Sequence, residues 1–318
     1  MRSTCWLALI AAGLLLAGAC GDTPTEPLSD PRGLILLVTN EFPSEIYVVR
    51  PDGTGLRRLT RDLYNDLYAH WSPDGRHIVF SRSRQPSTGD HAFDITLMNA
   101  DGGQMRRLLQ GGGSAAWPRW SPDGRRIAFQ RTDAGVGPRI YVMNADGTDV
   151  RLVTAAPQSV APSWAPDGAR LVFVARRPAR ARQSLYTIRP DGTDEELVAG
   201  DSACAGDAYE PQWSPDGTRI VYRCDEVSSG AIHLIRTDGT HPQRLTPGPP
   251  LESWKFDGSP VWSPDGGQIV FGSNRFRMNW GPAIMDTLGG NARQLDVPTL
   301  PNSNPSAWGA VPGVSSGR

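Results

Sequence analysis

The chain has 318 residues, 39% of them hydrophobic, with 32 Lys and Arg balanced by 33 Asp and Glu for a formal net charge of −1. That apolar share can build a buried core and argues against a chain disordered throughout. The near-zero charge, with a pI of about 6.5, argues against nucleic acid, which is attracted by a basic field.

Residues 1–19 read as a secretory signal. Arg2 supplies a positive start, and "WLALIAAGLLLAG" from Trp6 to Gly18 supplies an apolar run too short for a comfortable membrane span. The "AGAC" at Ala17 to Cys20 fits two readings at the same bond: a lipobox with Cys20 as the lipidated residue, or an ordinary A-x-A cleavage site. Lipidation is preferred because "GDTPTEPLSDPR", Gly21 to Arg32, is polar and proline-rich and reads as an extended tether (20–32). The membrane is then met only through the N-terminal lipid, and the protein is expected in the periplasm or at the cell surface.

From residue 33 the sequence repeats itself. "WSPDG" occurs at Trp71 to Gly75, Trp120 to Gly124, Trp213 to Gly217 and Trp262 to Gly266, with "WAPDG" at Trp164 to Gly168; the tryptophans step by 49, 44, 49 and 49 residues. A catalytic site is written once, whereas a turn that builds repeated architecture is written once per repeat, and this period is that of a propeller blade. A second signature recurs between them, as "IYVVRPDGTGLRRLT" from Ile46 and "IYVMNADGTDVRLVT" from Ile140, with a worn sixth copy from Ala283 that carries Leu288 in place of Asp.

Each unit resolves into four short strands. The first ends at the tryptophan; the second is of the type "HIVF" (His77 to Phe80), whose β-branched and aromatic residues suit a buried pleated surface. The third and fourth are the "IYVM" and "RRLT" types. Ser-Pro-Asp-Gly is a tight hairpin corner, and the tryptophan is expected to wedge between neighbouring sheets. "LILLVT" (Leu34 to Thr39) starts a unit at its second strand, and "NPSAW" (Asn304 to Trp308) supplies the missing first strand. The expected fold is all-β: a six-bladed propeller over 33–310 whose C-terminal strand completes the N-terminal blade and leaves no open edge. Residues 311–318 are expected to form a disordered tail.

Two cysteines, Cys204 and Cys224, remain in this body. In an oxidising compartment they suggest one disulfide, with two separate thiols as the alternative; closing a loop of roughly 20 residues would contribute about 3 kcal/mol.

The combination of "xPxWSPDGxxIxF" with "IYVMNADGTxxRxLT" resembles the WD-like repeats of the TolB carboxy-terminal β-propeller domain, over roughly residues 33 to 310. The resemblance implies an envelope-facing propeller that binds protein partners and has no catalytic residues of its own. TolB carries a separate α/β domain ahead of its propeller, whereas the tether precedes Leu34 here, so the Tol partners are not carried over.

Motifs for chemistry are sparse. "GVSSG" at Gly313 to Gly317 matches a hydrolase nucleophile pattern without the strand, helix or downstream His that it needs. The "NADGTD" run from Asn144 matches a calcium loop only faintly and has siblings at equivalent corners. No motif for a cofactor, phosphate or metal stands out. Among the residues just ahead of each tryptophan, His70 and Arg119 are the candidates for chemistry; by strand alternation His70 could line a central channel or pack locally, and a plain structural role is preferred for it.

The Ser-Pro-Asp-Gly and Asp-Gly corners all fall on one side of the ring, and the other side carries the irregular connections, where binding usually resides. Trp254, Arg275, Phe276, Arg277 and Trp280 form a candidate contact cluster there; loop residues packing on their own blade are the alternative. The expected function is a lipid-anchored envelope module, monomeric, that binds an unidentified protein or peptide. The alternative is a carbohydrate-active lyase or hydrolase with its site at the channel mouth.

Overall fold

Twenty-four strands in six four-stranded antiparallel sheets make up a computed structural model that describes residues 33–86, 92–178, 180, 182–200, 203–226, 229–247, 255–276, 280–297, 300 and 302–309. No helix is present among the described residues. Blade 1 contains β1 (Ile35–Thr39), β2 (Ile46–Val49) and β3 (Arg57–Arg58). Blade 2 runs through β4 (Asp66–Trp71), β5 (His77–Ser83), β6 (Phe93–Asn99) and β7 (Arg106–Leu109). Blade 3 follows with β8 (Ser114–Trp120), β9 (Arg126–Asp133), β10 (Gly137–Asn144) and β11 (Arg151–Leu152).

Blade 4 holds β12 (Ser159–Trp164), β13 (Leu171–Ala175), β14 (Ser184–Ile188) and β15 (Glu196–Ala199). Blade 5 holds β16 (Asp207–Trp213), β17 (Arg219–Glu226), β18 (Ser229–Arg236) and β19 (Gln243–Arg244). Blade 6 holds β20 (Asp257–Trp262), β21 (Gln268–Ser273), β22 (Gly281–Asp286) and β23 (Arg293–Gln294). The last strand, β24 (Ser303–Trp308), leaves blade 6 and pairs antiparallel with β1, setting Ile35 opposite Trp308 and Thr39 opposite Ser303. It is thus the innermost strand of blade 1, and the six-bladed ring is closed by strands from both ends of the sequence.

The core lies between blades rather than within any one of them, because a single sheet cannot cover its own apolar face. One cluster joins Ala128, Ile140 and Val153 of blade 3 to Trp164, Phe173 and Tyr186 of blade 4. Trp164 is the wedge: its Nε1 donates to the Arg119 carbonyl of the preceding blade at 3.0 Å, and the Arg126 guanidinium lies 4.7 Å from its ring centre. Trp262 repeats the arrangement, donating to the Gln212 carbonyl at 3.3 Å beneath Arg219.

Short hydrogen bonds fix the recurring corner. In blade 3 the Ser121 hydroxyl donates to Asp123 Oδ1 at 2.5 Å and accepts the Arg126 N–H at 2.9 Å, while Gly124, at a φ of 68°, returns its N–H to the Ser121 carbonyl. The Ser121 hydroxyl and the Arg125 N–H hold the Asp123 carboxyl below the usual carboxylate range. At the second corner Gly147 could carry no side chain, since a Cβ there would meet the Leu108 carbonyl of the neighbouring blade at 2.5 Å.

Blade 4 writes its corner with Ala165, which keeps the backbone bonds but has no hydroxyl to offer Asp167. Ala165→Ser is therefore expected to raise stability by about 1 kcal/mol. The gain would be read as a higher urea midpoint at unchanged slope; a lower midpoint would mean that this corner is built differently from its siblings.

Cys204 and Cys224 form a disulfide with their Cα atoms 5.8 Å apart, tying the connection ahead of β16 to the fully buried centre of β17.

Candidate binding site at the channel mouth

The inner strands β4, β8, β12, β16 and β20 each bulge three residues ahead of the tryptophan. The ladder breaks between Leu67 and His70, Ala116 and Arg119, Val160 and Ser163, Tyr209 and Gln212, and Gly258 and Val261. At the break Tyr68, Trp117, Ala161, Glu210 and Ser259 take left-handed backbone, with φ between 50° and 57°. For residues of this kind that conformation costs on the order of 1 kcal/mol or more, and it persists only where paired strand on both sides enforces it. Proline follows in four of the five, at Pro118, Pro162, Pro211 and Pro260, and lacks the N–H that a bulge leaves unpaired. In β24 the corresponding place holds Pro305, whose ring forbids positive φ, and the extra residue there is Ser306 instead.

Bulging aims these side chains down the axis and divides the channel into two chambers. The mouth chamber, about 220 Å³, opens on the irregular face and is lined by Tyr68, Trp117, Arg119, Glu210, Ser259 and Asn304 among others. A wider chamber of about 560 Å³ opens on the side of the corners, walled by the motif tryptophans and prolines with His70. Arg119, Gln212 and Val261 line both and form the neck.

The rings of Tyr68 and Trp117 stack with centroids 4.0 Å apart. Beneath them the Arg119 guanidinium lies 5.7 Å from the Trp117 ring centre, and its Nη1 donates to the Pro118 and Tyr68 carbonyls at 2.9 and 3.4 Å. Burial lowers the Arg119 pKa to about 10, so the group remains a cation at neutral pH, and Glu210 across the chamber works in the opposite direction. The Glu210 carboxylate accepts the Ser259 N–H at 2.6 Å and faces Arg223 at 3.4 Å. Arg223 is itself held over Tyr209 and Phe256.

His70 lies on the wall of the wider chamber, close to Arg119. Burial first, and the Arg119 charge second, lower its pKa from 6.5 to about 3, and its Nδ1 has no hydrogen-bond partner. Since the depressed value belongs to the folded state, the unfolded chain binds the extra proton. The contribution of neutral His70 is complete above pH 6.5 and is lost as the pH falls toward 3, with a slope of at most about 1.4 kcal/mol per pH unit. His70→Gln is expected to flatten this acid limb in urea unfolding measured across that window; parallel curves for the two proteins would assign the limb to other groups.

Of the residues expected from the sequence, Arg119 forms part of the neck and His70 lines the wider chamber beside it. Arg275 donates through Nε to the buried Asp257, which also accepts the Ser273 hydroxyl at 2.7 Å. Phe276 is 40% exposed. Trp280 packs against Phe256 and donates to Asn304 Oδ1 at 2.5 Å, which joins it to β24. Trp254, Arg277, Cys20, the 1–19 leader, the 20–32 tether and the tail beyond 310 lie outside the described residues. Tyr68, Trp117 and Glu210 were not singled out in the sequence; prolines inside otherwise regular inner strands were the signal that could have marked Trp117 and Glu210, whereas Tyr68, followed by Ala69, carries no such mark. Among the described residues one group could gather three metal-binding atoms, Cys224, Glu226 and His233, and there the cysteine sulfur is already in the disulfide.

Solved structures with this architecture include TolB from Acinetobacter baumannii, with a TM-score of 0.69 and 20% identity over 88% of this chain and 67% of that one. A putative TolB from Agrobacterium tumefaciens gives 0.63 and 23% over 83% and 88%. Oligogalacturonate lyase from Vibrio parahaemolyticus gives 0.53 and 16% over 76% and 72%. At these identities the likeness shows the fold alone. None of the curated proteins matches the chain. Residues 26–202, more than half of the sequence, match the model of the TolB β-propeller domain, and the chain belongs to that family.

Proposed function

We infer that this propeller is an exported, lipid-anchored module that binds a protein or peptide of the cell envelope through its irregular face, with the mouth chamber as the central subsite. The observation that carries this reading is the chamber itself: a stacked Tyr68 and Trp117 pair, one buried cation and one carboxylate, set on five strained but clamped bulges. Exposed apolar side chains on the same face, Phe42 at 57% and Leu63 at 64% in the connections of blade 1 and Phe276 in blade 6, supply further contact surface around it. Strain stored in a rigid frame is a mark of binding sites, and aromatic groups in a pit are the usual anchors of a partner.

A photoreactive residue placed at Phe42 or Phe276 is expected to crosslink a protein in intact envelopes, whereas one at Thr193, on the side of the corners, is not. Crosslinks from Thr193 alone would move the interface to the other face. Recovery of no protein, together with sugar turnover by purified material, would favour a carbohydrate-active enzyme. Anchoring rests on the leader and on Cys20: Cys20→Ser is expected to shift the protein from the membrane to the soluble fraction, and unchanged fractionation would argue for simple secretion.

A further inference from the structure

Arg119 differs from the other deeply buried arginines of the ring. Arg82 pairs with Asp66, Arg275 with Asp257 and Arg177 with Glu195. Arg119 is only 6% exposed, yet it forms no ion pair among the described residues; its bonds are the two carbonyl contacts through Nη1. Buried charges are ordinarily paired, because removing an ion from water costs several kcal/mol that only a counter-charge or a full set of hydrogen bonds offsets.

The carboxylate that acts on Arg119, Glu210, does so across the chamber without touching it and accepts the Ser259 N–H at 2.6 Å. Arg223, which also faces Glu210, is paired more closely with Asp225, at 2.9 Å, so these groups balance in sum; what sets Arg119 apart is that no carboxylate among the described residues is in direct contact with its guanidinium. The remaining guanidinium nitrogens of Arg119 make no hydrogen bond among the described residues, and the residue lines the chamber floor. Planar guanidinium is the side chain best suited to grip a carboxylate through two parallel N–H donors.

We propose that the mouth chamber is a carboxylate receptor in which Arg119 takes the anion and the Tyr68 and Trp117 pair packs against the flat or apolar group that bears it. This rests on the binding reading above and narrows it. A chamber of about 220 Å³, narrowed at its floor to a neck by Arg119, Gln212 and Val261, accommodates one residue-sized group. A ligand end therefore fits it better than a segment that runs through. Two sources carry such an end, the free C-terminus of a peptide and the carboxylate of a sugar acid.

Calorimetric titration of the purified protein separates them, using Gly-Gly-Phe as the free acid and as the amide, and galacturonate beside galactose. At least one acid is expected to bind ten-fold or more tighter than its neutral counterpart. Arg119→Met is expected to abolish that preference and Arg119→Lys to retain part of it. Thermal stability of Arg119→Met should be unchanged or higher, since an unpaired buried charge has been removed. Equal binding of acid and amide would overturn the receptor and leave the peptide reading standing. Galacturonate bound over galactose, with neither peptide bound, would keep the receptor and reject the peptide. Binding by neither acid, or a destabilised Arg119→Met with unchanged affinities, would assign Arg119 to the architecture alone.

Discussion

A chain that stops at residue 302 is expected to lose cooperative folding, with a deficit above about 5 kcal/mol, beyond the range of ordinary single substitutions. The truncation removes all of β24 and with it the Trp308 wedge, whose Nε1 donates to the Gly33 carbonyl at 2.9 Å, and the Ser306 hydroxyl, which bonds the Ala69 carbonyl of blade 2 at 2.7 Å. It also turns β1, buried at every position, into an open edge, and such an edge recruits other chains. Urea unfolding and size-exclusion chromatography would show a broad, early transition and oligomers. A monomer with an unaltered midpoint would mean that the ring does not depend on its seam.

Trp164→Ala is expected to cost about 3 to 5 kcal/mol, the range for emptying a large buried aromatic site. Trp164 is 6% exposed, packs between its own blade and the preceding one and satisfies the Arg119 carbonyl. Trp164→Phe keeps most of the volume and deletes only the indole donor, so it should cost nearer to 1 kcal/mol. Chemical denaturation of the two variants checks the pair. A loss below about 1 kcal/mol for the alanine variant would reject the wedge.

The blades could be read before any coordinates because the features that build them are local and repeated. Trp-Ser-Pro-Asp-Gly encodes a corner whose hydrogen bonds span five residues, and β5, β9 and β17 announce themselves by β-branched and aromatic runs. Even the seam was legible, since "NPSAW" supplies the one strand that "LILLVT" lacks. The chamber was not legible in the same way. Alternation along a regular strand offered the axis or local packing for His70, and each bulge adds a residue that the period of two does not announce. Tyr68, Trp117 and Glu210 share the parity of His70, Arg119 and Gln212, so alternation would send them the same way; what it does not encode is the left-handed backbone at each bulge and the stacking of Tyr68 on Trp117. The Arg119 and Glu210 environments also depend on groups from different blades, such as Arg223 and Ser259, whose convergence no spacing within one repeat encodes. The loop cluster fared similarly: Arg275 meets Asp257 and Trp280 meets Asn304 through tertiary packing that composition alone does not specify.

The seam also sets the order of assembly. Gly33 and Trp308 meet across 275 positions of sequence, and confining the ends of so long a span costs roughly 5 kcal/mol of chain entropy before any contact is returned. Every other hairpin in the ring joins near neighbours and can form on its own timescale of microseconds. Blades 2 to 6 can therefore stack early into an incomplete arc, and the circle is completed by a late, slow capture of the two distant segments. Any cellular factor that shields such an arc from its neighbours would act in that interval.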